Sequence, residues 1–195
     1  MSILVHIQIY SENKTELCTD FAIVLDLDVA PYGIQKTQGT SIKCKGRMFM
    51  DLLEKIIQLI NSGKYDESEK ICRNLNFTEI RNGFLKIAYD TTNFSLYSFV
   101  FYMFTKTEDD RWLDLALSLV IGPLCFVEGA YSIGLFHARQ LIRKKNCVKN
   151  LVQLLFFYTI PEKLINRDEA LEIAHQVLKL DPINQVALQI VSSSK

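Results

Sequence analysis

The sequence predicts a mainly α protein with a small antiparallel β-sheet at its N-terminus. Three observations lead to this fold class. From about residue 48 onward, apolar side chains recur at three- and four-residue spacing, the period of a helix that buries one face. In the first 46 residues they alternate with period two, which is typical of strands. Two similar helical segments, residues 59–72 and 166–182, lie far apart in the chain, which indicates repeated helix pairs.

The N-terminal segment contains two long strand patterns and a shorter third one. Residues 3–10 and 21–30 each place apolar side chains at every second position, and residues 41–45 form the third predicted strand. Two or three strands are not stable alone, so the sheet is expected to pack on the helices. We therefore predict a β-strand extension at residues 1–46 and a helical repeat-like domain at residues 47–195.

The rest of the chain is predicted to form about nine helices joined by short links. The first carries an apolar stripe that runs from Phe49 to Ile60. Short links favour antiparallel neighbours, so the predicted architecture is an array of antiparallel helix pairs. The predicted helices span residues 48–61, 65–75, 78–89, 94–104, 112–120, 126–145, 148–158, 168–180 and 183–191.

Composition narrows the class of protein and the class of partner. The chain has 195 residues, which suits one domain with a small extension, and 49% of them are apolar, too many for a disordered chain. Basic and acidic side chains number 22 each, so the formal net charge is zero. The strongly basic footprint of a nucleic-acid binder is missing, and we predict no nucleic-acid partner.

The cysteine pattern predicts reduced thiols and no metal site. The five cysteines are widely spaced, odd in number and form no C-x-x-C pair, which makes both a disulfide framework and a zinc site poor hypotheses. Reduced cysteines fit a cytoplasmic protein. No cofactor is predicted either, because glycine-rich phosphate loops are absent from the sequence. The five residues are Cys18, Cys44, Cys72, Cys125 and Cys147.

Neither the N-terminus nor the most apolar stretch predicts a membrane segment. The first residues lack a basic leader, and His6 and Gln8 interrupt their apolar run. Residues 113–136 are broken by Gly122 and Pro123, although a membrane span needs about 20 mostly apolar residues. We therefore interpret that stretch as two buried helices and expect no membrane partner.

The two similar segments resemble tetratricopeptide repeats. In that family a glycine sits where two helices approach closely, an aromatic residue follows, and a small residue packs one turn later; Gly63, Tyr65 and Ser68 fit these places. The segment Ala170–Pro182 resembles the second helix and terminal Asp-Pro of the same repeat. Asp66 and Asp168 lie 102 residues apart, three times the family period of about 34. The middle of the chain does not keep this register, so the resemblance is to a degenerate, tetratricopeptide-like array.

A second resemblance concerns residues 123–139 together with residues 158–164. This block, and the overall helical layout, is similar to the immunity proteins of bacterial polymorphic toxin systems. The resemblance implies a cytoplasmic protein that binds and neutralises a cognate toxin domain by covering its active cleft or its substrate-binding face. Repeat arrays of this kind build binding surfaces and seldom carry chemistry.

Acidic and aromatic side chains are the candidate partner-binding residues. Carboxylates on an exposed strand face or at a helix start are often only solvated or placed to favour the helix dipole. Alternatively they form an acidic contact patch for a basic toxin such as a nuclease, because charge pairing raises the association rate. Most of the aromatic set in residues 94–104 is expected in the core, with a tyrosine or two lining a groove. The candidates are Asp26, Asp28, Glu108, Asp109, Asp110, Asp114, Tyr97 and Tyr102.

The sequence offers little support for an enzyme. Glu128 and His137 lie nine residues apart on one predicted helix, a spacing that places them on different faces. A nucleophile cannot be assigned beside His137, and G-x-S-x-G and H-E-x-x-H are absent. We therefore predict that the chain is not an enzyme. The alternative is an enzyme, namely a small hydrolase or nuclease that uses Glu128, His137 and nearby groups.

The predicted function is a protein-binding module, specifically an immunity protein. The alternative of the same class is a tetratricopeptide-like regulatory adaptor or peptide sensor, which would hold an extended peptide on the concave side of the array. The exposed strand edge at residues 3–9 could also pair with a second copy, so a homodimer through the N-terminal strands is allowed.

Overall fold

The described part of the chain is all-α. The structure, a computed structural model, describes the backbone of residues 40–193 and the side chains from residue 48 onward. Within that range nine helices follow one another. They are α1 Thr40–Asn61, α2 Tyr65–Cys72, α3 Phe77–Thr91, α4 Phe94–Thr107, α5 Asp110–Ile121, α6 Ala130–Lys144, α7 Val148–Thr159, α8 Arg167–Leu180 and α9 Gln185–Ser192.

The β-sheet in the predicted fold class is wrong. Residues 40–193 contain no strand, and residues 41–45, the predicted third strand, lie inside α1. Five alternating residues are too few to exclude a helix, and Ile42 precedes Phe49 by about two helical turns, so it also fits the stripe of α1. The first two predicted strands, at residues 3–10 and 21–30, lie outside the described residues.

The first helix begins earlier than predicted. Because α1 starts at Thr40 rather than near Met48, the domain boundary predicted between residues 46 and 47 falls within this helix. The N-terminal extension itself stays a prediction, since it lies almost entirely outside the described residues. The other predicted helices are confirmed, most of them within two or three residues of their expected ends. The main exception is α6, which starts only at Ala130 because turns occupy residues 122–129.

Side-chain caps fix the start of five of the described helices. Asn76, directly before α3, accepts hydrogen bonds from the backbone amides of Thr78 at 2.8 Å and Glu79 at 3.3 Å. Each such cap satisfies an amide that the helix leaves without a partner and contributes about 1 kcal/mol. The five capping residues are Asn76, Asn93, Asp109, Asn166 and Asn184.

The described residues form two compact units, of which the second is the smaller. The first unit comprises residues 40–146 and 160–164, and the second comprises residues 147–159 and 165–193. In the second unit α8 packs against both α7 and α9. Ala170 and Ala174 are completely buried there, and these small side chains allow close helix packing. The helix predicted from the repeat-like segment is thus present with helical neighbours.

The first unit is built around α5. Every side chain from Leu115 to Ile121 is buried, as expected of a helix that is apolar on nearly all sides. Both α4 and α6 pack extensively on α5, and α3 also contacts it. Despite this apolar content, none of the helices between residues 40 and 193 is both long and apolar enough to cross a membrane.

Two glycines explain how α1, α2 and α3 meet. Gly63 lies in the turn between α1 and α2 with φ +72, and a Cβ added there would have no neighbour within 4 Å. Its role is therefore the left-handed turn and not the close approach that the repeat resemblance implies. The close approach occurs at Gly83 in α3, where an added Cβ would lie 2.5 Å from Leu53 Cδ1 of α1. Ser68, the small residue of the repeat pattern, is completely buried in α2.

Gly63→Ala is expected to lower the free energy of unfolding by about 1 kcal/mol, because an L-residue is strained at this positive φ. Gly63→Asn should cost less, since asparagine tolerates the left-handed region. Urea denaturation of the two variants beside the wild type measures the difference. Equal stability of all three proteins would contradict the left-handed turn.

Candidate functional site

α4 carries six aromatic side chains, and they point in three directions. Phe99 lies in the core of the first unit, where its ring centroid is 6.2 Å from that of Phe84 and 6.4 Å from that of Trp112. Tyr102 packs toward α2, with its ring centroid 5.3 Å from that of Tyr65. The other four recur at three- and four-residue spacing along one side of the helix: Phe94, Tyr97, Phe101 and Phe104.

α6 adds two further rings to this side of α4. The imidazole of His137 lies 5.9 Å from the ring of Tyr97 and 5.2 Å from that of Phe101, between ring centroids. The ring of Phe136 lies 5.7 Å from His137. Along α4 itself, centroid distances of 5.1, 6.3 and 6.0 Å connect the four rings in sequence. We call this set the aromatic face: Phe94, Tyr97, Phe101, Phe104, Phe136 and His137.

The aromatic face is buried in its middle and exposed at its edges. Phe136 is 52% exposed and Phe94 is 40% exposed, whereas Tyr97 and His137 are buried between them. Phe101 and Phe104 are half-buried. Exposed large apolar side chains are ordinary when isolated, but a contiguous set often marks a binding surface.

A buried hydrogen bond joins the two helices beneath the exposed rings. The hydroxyl of Tyr97 and Nε2 of His137 lie 2.8 Å apart, and His137 is 1% exposed. Burial lowers the pKa of His137 to about 4, against a smaller raising effect from the Gln140 side chain. Neither His137 Nδ1 nor Gln140 Oε1 makes a hydrogen bond of good geometry. The imidazole is therefore neutral near pH 7, and its Nε2 shares a hydrogen bond with the hydroxyl of Tyr97.

This environment gives the hydrolase hypothesis no support. A general base must reach a substrate or a water, and its pKa works best near the operating pH. His137 is buried beneath aromatic rings with a pKa of about 4. Glu128, the other residue in that hypothesis, is exposed in the turns before α6 and does not share a helix with His137.

The predicted acidic group makes contacts within the fold. Glu108 ends α4 with φ 54, and its backbone carbonyl accepts a hydrogen bond from Lys144 Nζ at 3.2 Å. Asp109 caps α5 and accepts from Arg111 at 2.6 to 3.0 Å, and the side-chain hydrogen bonds from Arg111 lower its pKa. Asp110 pairs with Lys144 at 2.8 Å.

These contacts match the helix-start role that the sequence left open for the acidic group. Asp114, the last member of the group, is half-buried on α5. Asp26 and Asp28 lie outside the described residues. A role of any of these six carboxylates in partner binding stays a prediction.

Tyr102 belongs to a polar cluster between α2 and α4. Its hydroxyl donates to Asp66 Oδ1 at 2.7 Å and accepts from Lys106 Nζ at 2.7 Å. Lys106 also pairs with Glu69, which is buried and bound by Arg73 as well. Hydrogen bonds from Lys106 are the main cause that lowers the pKa of both Asp66 and Glu69. Every charge in this cluster has a partner, so it stabilises the packing of α2 on α4.

A shallow cleft of about 250 Å³ lies among α2, α3, α4 and α5. Its lining combines Phe77, Met103 and Trp112 with Arg73 and Arg111 at the polar side. Both arginines already bind carboxylates, Glu69 and Asp109 respectively. Cys72 also borders the cleft, but burial raises the pKa of its thiol to about 12, so it stays protonated and unreactive. In the described part of the chain no His, Cys, Asp or Glu cluster could hold a metal ion.

Comparison with known proteins assigns no function to these features. No protein-family model, no curated protein and no solved structure matches the chain. We therefore select the aromatic face as the candidate functional site from its geometry. It is a contiguous set of aromatic side chains on α4 and α6 of the first unit, with exposed rings at its edges.

Proposed function

We propose that the chain is a protein-binding module that docks a partner segment on the aromatic face. The observation that carries the proposal is the pair of exposed rings, Phe136 and Phe94, connected through the buried rings of Tyr97 and His137. Aromatic side chains are enriched at interfaces, where a few buried anchors carry most of the binding energy.

Rigidity of the aromatic face supports the same proposal. Burial of an exposed aromatic ring contributes about 1.5–3 kcal/mol, provided that little entropy is lost in ordering it. The hydrogen bond between Tyr97 and His137 holds α4 and α6 together directly beneath the exposed rings. A partner would therefore meet a preformed surface and bind as a rigid body.

The partner class that we propose to test first is a bacterial toxin domain. The support is the resemblance of residues 123–139 and 158–164 to immunity proteins of polymorphic toxin systems. In this form of the proposal the aromatic face would occupy or border the toxin's active cleft and so neutralise it. No chemistry of the chain's own residues is needed for such inhibition, which depends only on affinity.

In the family that the chain resembles, the immunity protein is encoded beside its toxin, so the partner to test is the product of the neighbouring gene. Phe136→Ser is expected to weaken that complex by about 10- to 100-fold, because it removes the more exposed ring of the face. Phe126→Ser is the matched control: Phe126 is 50% exposed but lies in the turns before α6, outside the aromatic face. Co-expression, co-purification and titration calorimetry compare the two variants with the wild type.

Two results would overturn the proposal. Absence of any complex at micromolar concentration would remove the toxin domain as partner. Equal loss of affinity in both variants, or loss in Phe126→Ser alone, would show that the partner binds elsewhere. Circular dichroism of both variants must show wild-type helix content, which separates lost binding from lost folding.

A further inference from the structure

α7 is enclosed on all sides. Every residue from Asn150 to Phe157 is buried, and eight consecutive residues span more than two turns, so their side chains point all around the helix axis. The other two helices of the second unit each keep an exposed side: Glu172 is exposed on α8 and Leu188 on α9. α7 is therefore the enclosed helix of this unit, whereas its two neighbours border solvent.

The described helices of the second unit cover only part of α7. Both α8 and α9 pack against it. α9 has 8 residues and α7 has 12, which correspond to lengths of about 12 and 18 Å, so α9 leaves part of the length of α7 open. α5, the corresponding enclosed helix of the first unit, is packed by three helices, α3, α4 and α6. A further part of the chain must therefore close the remaining side of α7.

The described part of the second unit is also too small to provide a stable core by itself. Its three helices contain 12, 14 and 8 residues. Chains of about 40 residues usually need a disulfide, a metal or further protein to fold, because they bury too little of their surface. Cys147, the cysteine of this part, is a free thiol, and no metal-binding group lies among the described residues. Further chain is thus required for stability as well.

The surface of α7 that needs this cover is uncharged. α7 carries a single charged residue, Lys149, which is exposed in its first turn. The buried residues that follow are six apolar side chains and the uncharged amides Asn150 and Gln153. A charged group placed against them would lose its hydration without gaining a counter-charge. The segment that closes α7 must therefore be rich in apolar residues and uncharged where it meets the helix.

We propose that residues 1–39, which precede α1, dock on the open side of α7 and complete the second unit. The burial of α7 belongs to the single chain, so its cover is part of the same chain. Residues 3–10 contain no lysine, arginine, aspartate or glutamate, and residues 21–25 are apolar throughout. Both stretches match the surface of α7, and burial of their apolar side chains is favourable in water.

The covalent connection favours this docking over the binding of a separate partner at α7. A segment linked to its site has an effective concentration in the millimolar range, so moderate affinity is sufficient. The docking site lies in the second unit, whereas α4 and α6 form the aromatic face in the first. The inference therefore goes beyond the proposed function and does not depend on it.

Cleavage of the folded full chain before α1 tests the docking. A protease recognition site is inserted between Lys36 and Thr37, and the chain is cut after purification. We expect residues 1–36 to remain bound to the rest of the chain through size-exclusion chromatography. Removal of the fragment in dilute urea should accelerate hydrogen exchange of the α7 amides about 100-fold, whereas the α5 amides keep their protection. Adding the fragment back should restore slow exchange.

Matched variants test whether the contact is apolar. Leu4→Asp with Val5→Asp places two charges in the uncharged stretch, and the affinity of the cleaved fragment for the rest of the chain should fall at least about ten-fold. Ser11→Asp with Asn13→Asp adds the same charge in the polar residues that follow, and should leave that affinity unchanged. Phe136→Ser, on the aromatic face, should also leave it unchanged.

Three results would overturn the docking. Separation of the fragment upon cleavage, with unchanged exchange of the α7 amides, would show that another part of the chain covers this helix. Equal affinity of the fragment in the two double variants would rule out the apolar contact. A doubled mass of the uncleaved chain, with fragment retention that depends on protein concentration, would assign the segment to α7 of a second copy. In each case the proposed function stands, because it is measured by binding at the aromatic face.

Discussion

Phe99→Ala is expected to lower the free energy of unfolding of the first unit by about 3–5 kcal/mol. The ring of Phe99 is completely buried and contacts four other aromatic rings. Its removal takes away both the burial energy and the packing of the neighbouring rings, because a close-packed core relaxes only in part. The rings that contact it are Tyr65, Phe84, Tyr102 and Trp112.

The matched control is Phe94→Ala, on the same helix and of the same residue type. Because Phe94 is 40% exposed, its truncation should cost far less than that of Phe99. Urea denaturation followed by the fluorescence of Trp112, the single tryptophan of the chain and part of the first unit, compares the two variants. Equal losses of stability would show that the division of α4 into a core side and an exposed side is wrong.

The second large effect is a loss of stability as the pH falls below 6.5. The pKa of His137 lies at about 4 in the folded chain, against 6.5 for an ordinary histidine. The unfolded chain binds the proton more readily than the folded chain does. The contribution of His137 to the free energy of unfolding is therefore complete above pH 6.5 and is lost as the pH falls to about 4. The total loss is about 3 kcal/mol, and His137 causes no further loss below that range.

Replacement of His137 isolates this contribution. His137→Leu should be less stable than the wild type at pH 7, because it leaves the hydroxyl of Tyr97 without its partner. Its stability should change less between pH 6.5 and 4.5. The pKa values of Asp66, Glu69 and Asp109 are lowered by their cation partners, so these carboxylates lose their contribution only at lower pH. Parallel pH profiles of the two proteins would contradict a buried, neutral His137.

Most of the helices could be predicted from the sequence because their determinants are local. Apolar stripes, side-chain caps and breaks such as Gly122–Pro123 act within a few residues, and the helices from α2 onward agree with them. The start of α1 was missed because residues 41–45 fit both the strand and the helix period. For so short an apolar run, the neighbouring helical turns decide between strand and helix.

The candidate site could be predicted only in part, because its contacts are distant in sequence. The stripe from Phe94 to Phe104 is visible in the sequence, but no local pattern distinguishes its exposed side from its buried one. The bond between Tyr97 and His137 joins residues 40 positions apart, as does the ion pair between Asp66 and Lys106. Pairings of this kind depend on how the helices pack.

The role of the acidic residues could also be predicted only in part. A cluster of carboxylates at residues 108–110 favours a helix start and leaves a contact patch as the alternative. The structure gives two of them intramolecular cations, Arg111 for Asp109 and Lys144 for Asp110. Arg111 follows Asp109 by two residues, so that pairing is local, whereas Lys144 lies on α6 and its pairing with Asp110 depends on how the helices pack.

Photochemical crosslinking from the aromatic face tests the proposed binding surface most directly. A benzoylphenylalanine is introduced at position 136 in one protein and at position 126 in another, and each is irradiated with the partner protein. We expect the covalent adduct to form from position 136 and not from position 126. An adduct from position 126 alone, or from neither position while binding is retained, would contradict the aromatic face as the site.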